Sequence, residues 1–157
     1  IGVLLHQITP PLVLGMKPDF SLIMLFIIIL YNRDFKSCII SGLAVGIFTA
    51  LTTGFPGGQV ANIIDKLITT IIIFSLIKAI KGHIKDQLLI VFMMSIGTLI
   101  SGTVFLSSAA FLTGFPGDFS ALLVSIVLPA ALINTIVGMI LYNAVNISLK
   151  RSNFNHH

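Results

Sequence analysis

Glutamate and tryptophan are absent from this chain of 157 residues, and five aspartates are its only acidic side chains. Charged residues make up 9% of it, where soluble domains carry roughly a quarter. That scarcity excludes a disordered chain and a nucleic-acid module. The single cysteine, Cys38, excludes a disulfide scaffold. There is no Gly-x-x-x-x-Gly-Lys-Ser/Thr loop, no His-Glu-x-x-His, no Gly-x-Ser-x-Gly and no Cys cluster. An enzyme is therefore not expected, nor a cofactor or metal site, and any ATP hydrolysis would fall to a partner.

What the chain has instead is apolar sequence in blocks, 56% of all residues with a mean hydropathy of +1.09. This is the composition of an integral membrane protein. A spanning helix needs about 20 apolar residues. Four blocks are long enough, namely Phe35 to Thr53, Val60 to Ile80, Gln87 to Thr113 and Phe119 to Ser148. Two shorter ones, Gly2 to Leu14 and Phe20 to Asn32, bring the expected total to six transmembrane helices in one all-α domain, residues 1–155. The chain begins at Ile1 rather than Met, so upstream residues are expected to be missing. His156 and His157 are set aside as a tag remnant.

The net charge of +4 is read as topology, not as a nucleic-acid surface. Arg33 and Lys36, then Lys78, Lys81, His83 and Lys85, then Lys150 and Arg151 occupy one class of linker. Gly54 to Gln59 and Gly114 to Asp118 form the other, with no Lys or Arg. The classes alternate, so the positive-inside rule places both termini in the cytoplasm and the Gly-Pro loops outside. Lys17 alone breaks the pattern among the linkers.

Thr53-Gly54-Phe55-Pro56-Gly57 recurs as Thr113-Gly114-Phe115-Pro116-Gly117 at an offset of sixty. Ser41-Gly42 and Ser101-Gly102, Ile40 and Ile100, Ala50 and Ala110, and Ala61 and Ala121 match at the same offset. The expectation is a parallel repeat of helical hairpins, helices 3–4 and 5–6. Gly15 to Phe20 faintly echoes Gly114 to Phe119. Gly54 and Gly114 suit a helix C′ position with positive φ, and Pro-Gly suits the centre of a type II turn. Asp19 and Asp118 stand where N-caps would stand. Phe55 and Phe115 either pack the turns or wall a pocket that opens outwards.

The halves differ where Asp65-Lys66 meets Ser125-Ile126. Lys66 lies seven residues past Gln59, about 10 Å below the helix start. An ionisable group at that depth is costly, and is by default a functional hypothesis. The alternative is that Lys66 snorkels to the headgroups while Asp65 bonds a neighbouring helix. Neighbours on a helix diverge by about 100°, so the two need not pair. Gln59, Asn62, Asp65 or Lys66, and Thr69 form one polar stripe. Carboxylate, ammonium and amide groups together suit a zwitterion, with Lys17 and Asp19 a second such pair. His6 and Gln7 read as interhelical bonds. Asn134 is open between helix glue and pocket, and Thr98, Ser101 and Ser108 read as close packing. Gly42, Gly46 and Ala50 form a small-residue face, for packing or for docking another subunit.

His6-Gln7-Ile8-Thr9-Pro10-Pro11 with Gly15 to Phe20, Thr53 to Gln59, Asn62 to Lys66 and Thr113 to Phe119 together resemble the bacterial tryptophan transport proteins of the TrpP type, over nearly the whole chain. That family in turn resembles the S components of energy-coupling-factor transporters. The resemblance implies six helices with both termini inside, and a substrate enclosed by outer loops and the last three helices. It also implies a coupling module of one transmembrane subunit and two ATPases. Such components dock through small residues on the first helix, where this chain keeps only Gly2. The absence of Trp agrees with a protein made when tryptophan is short. The expected contacts are Gln59, Asn62, Asp65 and Lys66, with Lys17 and Asp19 from the covering loop, Phe55 and Phe115 beside an indole, and Asn134. Two rivals stand beside this reading. One is a self-sufficient transporter with Asp65 carrying a coupling proton. The other is a non-transporting assembly subunit that uses the Gly42-Gly46 face.

Overall fold

The structure, a computed structural model, describes residues 19–55, 57–114 and 118–154, with side chains to 151. The expected first helix, Lys17, His6, Gln7 and Phe115 lie outside these residues. The described chain is all helical: α1 (Phe20–Tyr31), α2 (Phe35–Thr52), α3 (Gly58–Ile80) and α4 (Asp86–Thr113) are followed by one long rod. That rod runs from α5 (Phe119–Leu122) through a π-helical turn (Leu123–Val127) into α6 (Leu128–Phe154). Four helices, Phe35–Thr52, Gly58–Ile80, Asp86–Thr113 and Phe119–Arg151, are long and apolar enough to cross a membrane. Their outward faces carry large apolar side chains, including Leu51, Phe111, Leu132, Ile136 and Ile140, as lipid contact requires.

α1 is short for a physical reason. Its 12 residues span about 18 Å, less than the hydrocarbon thickness of about 30 Å. It is apolar all round, which marks a buried helix, and Leu22, Ile23, Leu25, Phe26, Ile27, Ile29 and Leu30 are all buried. Ile73 and Ile77 of α3, Leu89, Ile90, Met93 and Met94 of α4, and Tyr142 of α6 complete that core. Gly97 makes room for the Phe26 ring, which a Cβ there would strike. At one end of the bundle Lys81 donates to the Leu30 carbonyl (2.7 Å), and Tyr31 stacks on Tyr142. At the other end the N-terminus of α1 meets α3 and α6.

The small-residue face is occupied inside the bundle. A Cβ on Gly42 would collide with the Thr70 hydroxyl, and one on Gly46 would lie 3.1 Å from Ile63 Cα. Gly42 and Gly46 thus let α2 close on α3, and the assembly-subunit reading loses the face it relied on.

Where both copies are described, at Thr53-Gly54 and Thr113-Gly114, the identical pentapeptides differ in backbone, so the structure does not support the hairpin repeat. Gly114 ends α4 in the left-handed region (φ 63°), as expected. Gly54 does not adopt positive φ; there Thr53, in extended backbone, ends α2. The left-handed residue of the first copy is Gly57 (φ 68°, ψ 4°), where the Gly58 N–H donates to the Phe55 carbonyl at 2.9 Å. The sequence beyond each copy decides this. Gly58 starts α3 at once, whereas Asp118 caps α5 through the Ser120 N–H (3.0 Å).

Asp34 caps α2 in the same manner, through Ser37. The hydroxyls of Ser37 and Ser120 hold the Asp34 and Asp118 carboxyls below their ordinary value. Both pKa values are lowered on folding. Their stabilisation is therefore present above the ordinary value of 3.8 and fades as pH falls through the lowered ones.

Alanine scanning of the turns checks this asymmetry. Gly54→Ala, with open space and ordinary φ, is expected to leave the unfolding midpoint unchanged. Gly114→Ala should cost about 1 kcal/mol for its left-handed backbone, and Gly57→Ala more, because its Cβ also meets Thr113. Equal effects at Gly54 and Gly114 in a detergent unfolding titration would contradict the assignment.

Candidate functional site

A cavity of about 270 Å³ opens where α1 and α3 begin and α2 and α4 end. Of the residues expected from sequence it gathers Asp19, Phe55, Asn62, Asp65, Lys66 and Asn134. Gln59 does not line it: the residue lies in the first turn of α3, is exposed, and sits outside the cavity wall. The stripe drawn from helical periodicity therefore begins one turn too high.

Lys66 dominates the site. Its side chain is 3% exposed and that of Asp65 is 1% exposed. The ammonium donates to Asp65 Oδ2 at 2.7 Å and to Ser101 Oγ at 3.3 Å, and pairs with Asp19 Oδ2 at 3.5 Å. Asp65 in turn accepts from Thr69 Oγ1 and Ser101 Oγ, each at 2.9 Å. Neighbouring residues thus do pair here. The long lysine stem curls back across the 100° that separates the two Cβ directions. Among the described residues no buried side-chain N or O lacks a partner.

Asp19 has two tasks. Its Oδ1 caps α1 through the Leu22 N–H (3.0 Å) and the Ser21 hydroxyl, and its Oδ2 faces Lys66. Its own N–H donates to Asn134 Oδ1 (2.8 Å), and Asn134 Nδ2 donates to Thr98 Oγ1 (3.3 Å). Asn134 is therefore both helix glue and cavity lining. Asn62 donates from Nδ2 to the Gly58 carbonyl (2.8 Å), which aims its side chain up the wall.

The remaining wall is apolar. Phe55 meets Phe105 edge to face, with ring centroids 5.3 Å apart, and Leu106, Val127 and Ala130 continue the surface. Val127 ends the π-helical turn and fills the notch over Gly102, where a Cβ would strike it. Phe105 and the π turn were missed from sequence. Phe105 lies at i+4 from Ser101 on the same face, and Pro129 inside the last block was the available sign of an irregular helix. Ser101 was read as packing, yet it bridges both charges.

Lys66→Met would leave two carboxylates without their cation and should cost about 3–5 kcal/mol of stability. The double variant D65N/K66M should recover much of that loss, because the buried uncompensated charge is gone. Strictly additive losses in an SDS unfolding titration would contradict the pairing.

Comparison with known proteins follows this geometry. The profile of the family described as "Tryptophan transporter TrpP" matches residues 1–150. A "Probable tryptophan transport protein" of Clostridium acetobutylicum is 50% identical over 150 residues, 96% of this chain and 88% of the relative. Proteins of the same description from Clostridium perfringens and Bacillus subtilis are 45% and 46% identical, covering 97% and 98% of this chain and 88% and 89% of theirs. No solved structure matches the chain.

Proposed function

We propose, for a chain that belongs to the tryptophan transporter TrpP family, that the cavity at the mouth of the bundle captures L-tryptophan from outside the cell. The observation that carries this reading is the Lys66–Asp19 pair at 3.5 Å beside the Phe55–Phe105 pair. A zwitterion inserts into that ion pair: its carboxylate takes Lys66 and its ammonium takes Asp19. Asp65, already held by Lys66, Thr69 and Ser101, is a positioning residue that keeps the ammonium aimed. The indole lies along Phe55 and Phe105.

The orientation follows from charge. The cavity lies at the end of the Gly-Pro linkers, and Arg33, Lys36, Lys78, Lys81, Lys85, Lys150 and Arg151 lie at the other; with Lys17 the single exception among the linkers, the balance of basic residues turns the cavity outwards and makes the C-terminus cytoplasmic. With the apolar block of residues 2–14 as a further span, the chain crosses the membrane six times and its N-terminus is also inside. It acts in the cell membrane as the S component of an energy-coupling-factor transporter. The chain carries no ATPase motif, so the drive comes from a module of one transmembrane subunit and two ATPases. Uptake of tryptophan by vesicles holding this chain alone, abolished by collapsing the proton gradient, would overturn the S-component role and favour proton coupling through Asp65.

Binding is measurable by the ligand's own fluorescence, since the protein has no Trp and only two Tyr. Saturable binding of L-tryptophan is expected, with Lys66→Ala and Phe105→Ala each weakening it by about tenfold or more, some 1.4 kcal/mol. Gln59→Ala should bind as wild type. Tryptamine, lacking the carboxylate, and indole-3-propionate, lacking the ammonium, should each bind at least about tenfold more weakly. Wild-type affinity for either analogue would sink the insertion geometry.

A further inference from the structure

A second cavity, of about 360 Å³, lies at the opposite end of the bundle between the C-terminal turns of α1 and α3. Leu30, Phe74 and Ile77 form its apolar walls, and Arg33, Lys78 and Lys81 stand around its mouth. Leu30 and Ile77 are buried, whereas all three basic residues are exposed. Lys81 donates to the Leu30 carbonyl at 2.7 Å, closing the end of α1 and leaving two further N–H groups on its ammonium. No carboxylate lines the cavity among the described residues. Asp34, the nearest in sequence, has its carboxylate turned to the N–H and hydroxyl of Ser37.

Helix C-termini and cytoplasmic linkers both favour basic residues, which accounts for the cations but not for the slot beneath them. From Lys81 to Phe74 the wall runs along α3 for seven residues, about 10 Å. Cations at the rim and a dry slot below fit an anionic amphiphile, with its phosphate at Arg33, Lys78 and Lys81 and an acyl chain against Phe74 and Ile77. A free phosphate would use the rim and leave the slot empty. By the orientation proposed above, on which this inference rests, the mouth lies at the inner leaflet, where anionic headgroups attract basic side chains.

We propose that this crevice is a binding site for an anionic phospholipid of the inner leaflet. The test uses the full chain in detergent, with lipid retention followed by native mass spectrometry and L-tryptophan binding measured on the same samples. Phosphatidylglycerol is expected to bind about tenfold or more tightly than phosphatidylcholine of the same chains. Inorganic phosphate should not displace it. R33Q/K78Q should abolish the preference while tryptophan affinity is unchanged, and Lys78→Arg should keep it. Lys78→Gln alone, at an exposed position, serves where the double variant does not accumulate. Equal retention of the two lipids overturns the proposal and leaves the cations to an acidic protein partner. Displacement by phosphate, or a preference that survives R33Q/K78Q, overturns it as well. Because tryptophan binding is read separately, failure of the outer site and failure of this one are distinguishable.

Discussion

A single buried ammonium organises the cavity half of this bundle. Lys66 lies at a depth where an uncompensated charge costs several kcal/mol, so it must be met by partners from elsewhere in the fold. Asp65 comes from its own helix, Ser101 from α4, and Asp19 from the start of α1. The contacts from Ser101 and Asp19 fix the heights of α4 and α1 against α3. Displacing any of the three by one turn would strand the charge. The glycine seam belongs to the same constraint: a Cβ added at Gly42 would lie 3.3 Å from the Lys66 carbonyl oxygen, and one at Gly46 3.4 Å from the Lys66 Cβ. The backbone of α2 can therefore close directly behind the lysine, and the ion cluster is walled from lipid on that side.

The opposite half follows different physics. Around α1 the contacts are apolar and non-directional, from Phe26 to Met94 and Ile77. Such a core tolerates small shifts, while the polar cluster above it does not. The chain thus sets a directional, rearrangeable ion pair on a base that need not move. On the proposed reading, a zwitterion entering between Asp19 and Lys66 exchanges one set of charge partners for another and leaves the packed helices beneath it in place.

Much of this could be read from the residues. Apolar blocks bounded by Gly, Pro and Asp gave helix limits within two residues for α1, α2, α3 and α4, because lipid enforces continuous helix wherever the chain crosses it. Asp65 and Lys66 stood out because charge inside an apolar run has no bland reason to persist. What the pattern could not give was direction. Ser101 looks like Thr103 in sequence, yet Thr103 bonds its own helix at the Leu99 carbonyl while Ser101 reaches across to α3. Gln59 shares the period of Asn62 but belongs to a turn that projects beyond the cavity. Cβ directions alone leave the Asp65–Lys66 contact undecided, because they ignore the reach of four methylenes.

The duplicated sequence bears on function through its differences. At the offset of sixty, Asp65 and Lys66 correspond to Ser125 and Ile126, and those two positions fall inside the π-helical turn. The first copy supplies Asp65 and Lys66; the second, wound wider by the extra residue and followed by Pro129, turns Ile126 and Val127 into the cavity. A regular helix there would rotate these side chains by about 100° per residue and change which of them face the ion cluster. An amino acid with a large apolar side chain needs both surfaces, one to hold its two charges and one to exclude water from its ring. Divergence after the shared Thr-Gly-Phe-Pro-Gly sequence therefore places the ion cluster on one side of the cavity and the π-helical turn on the other.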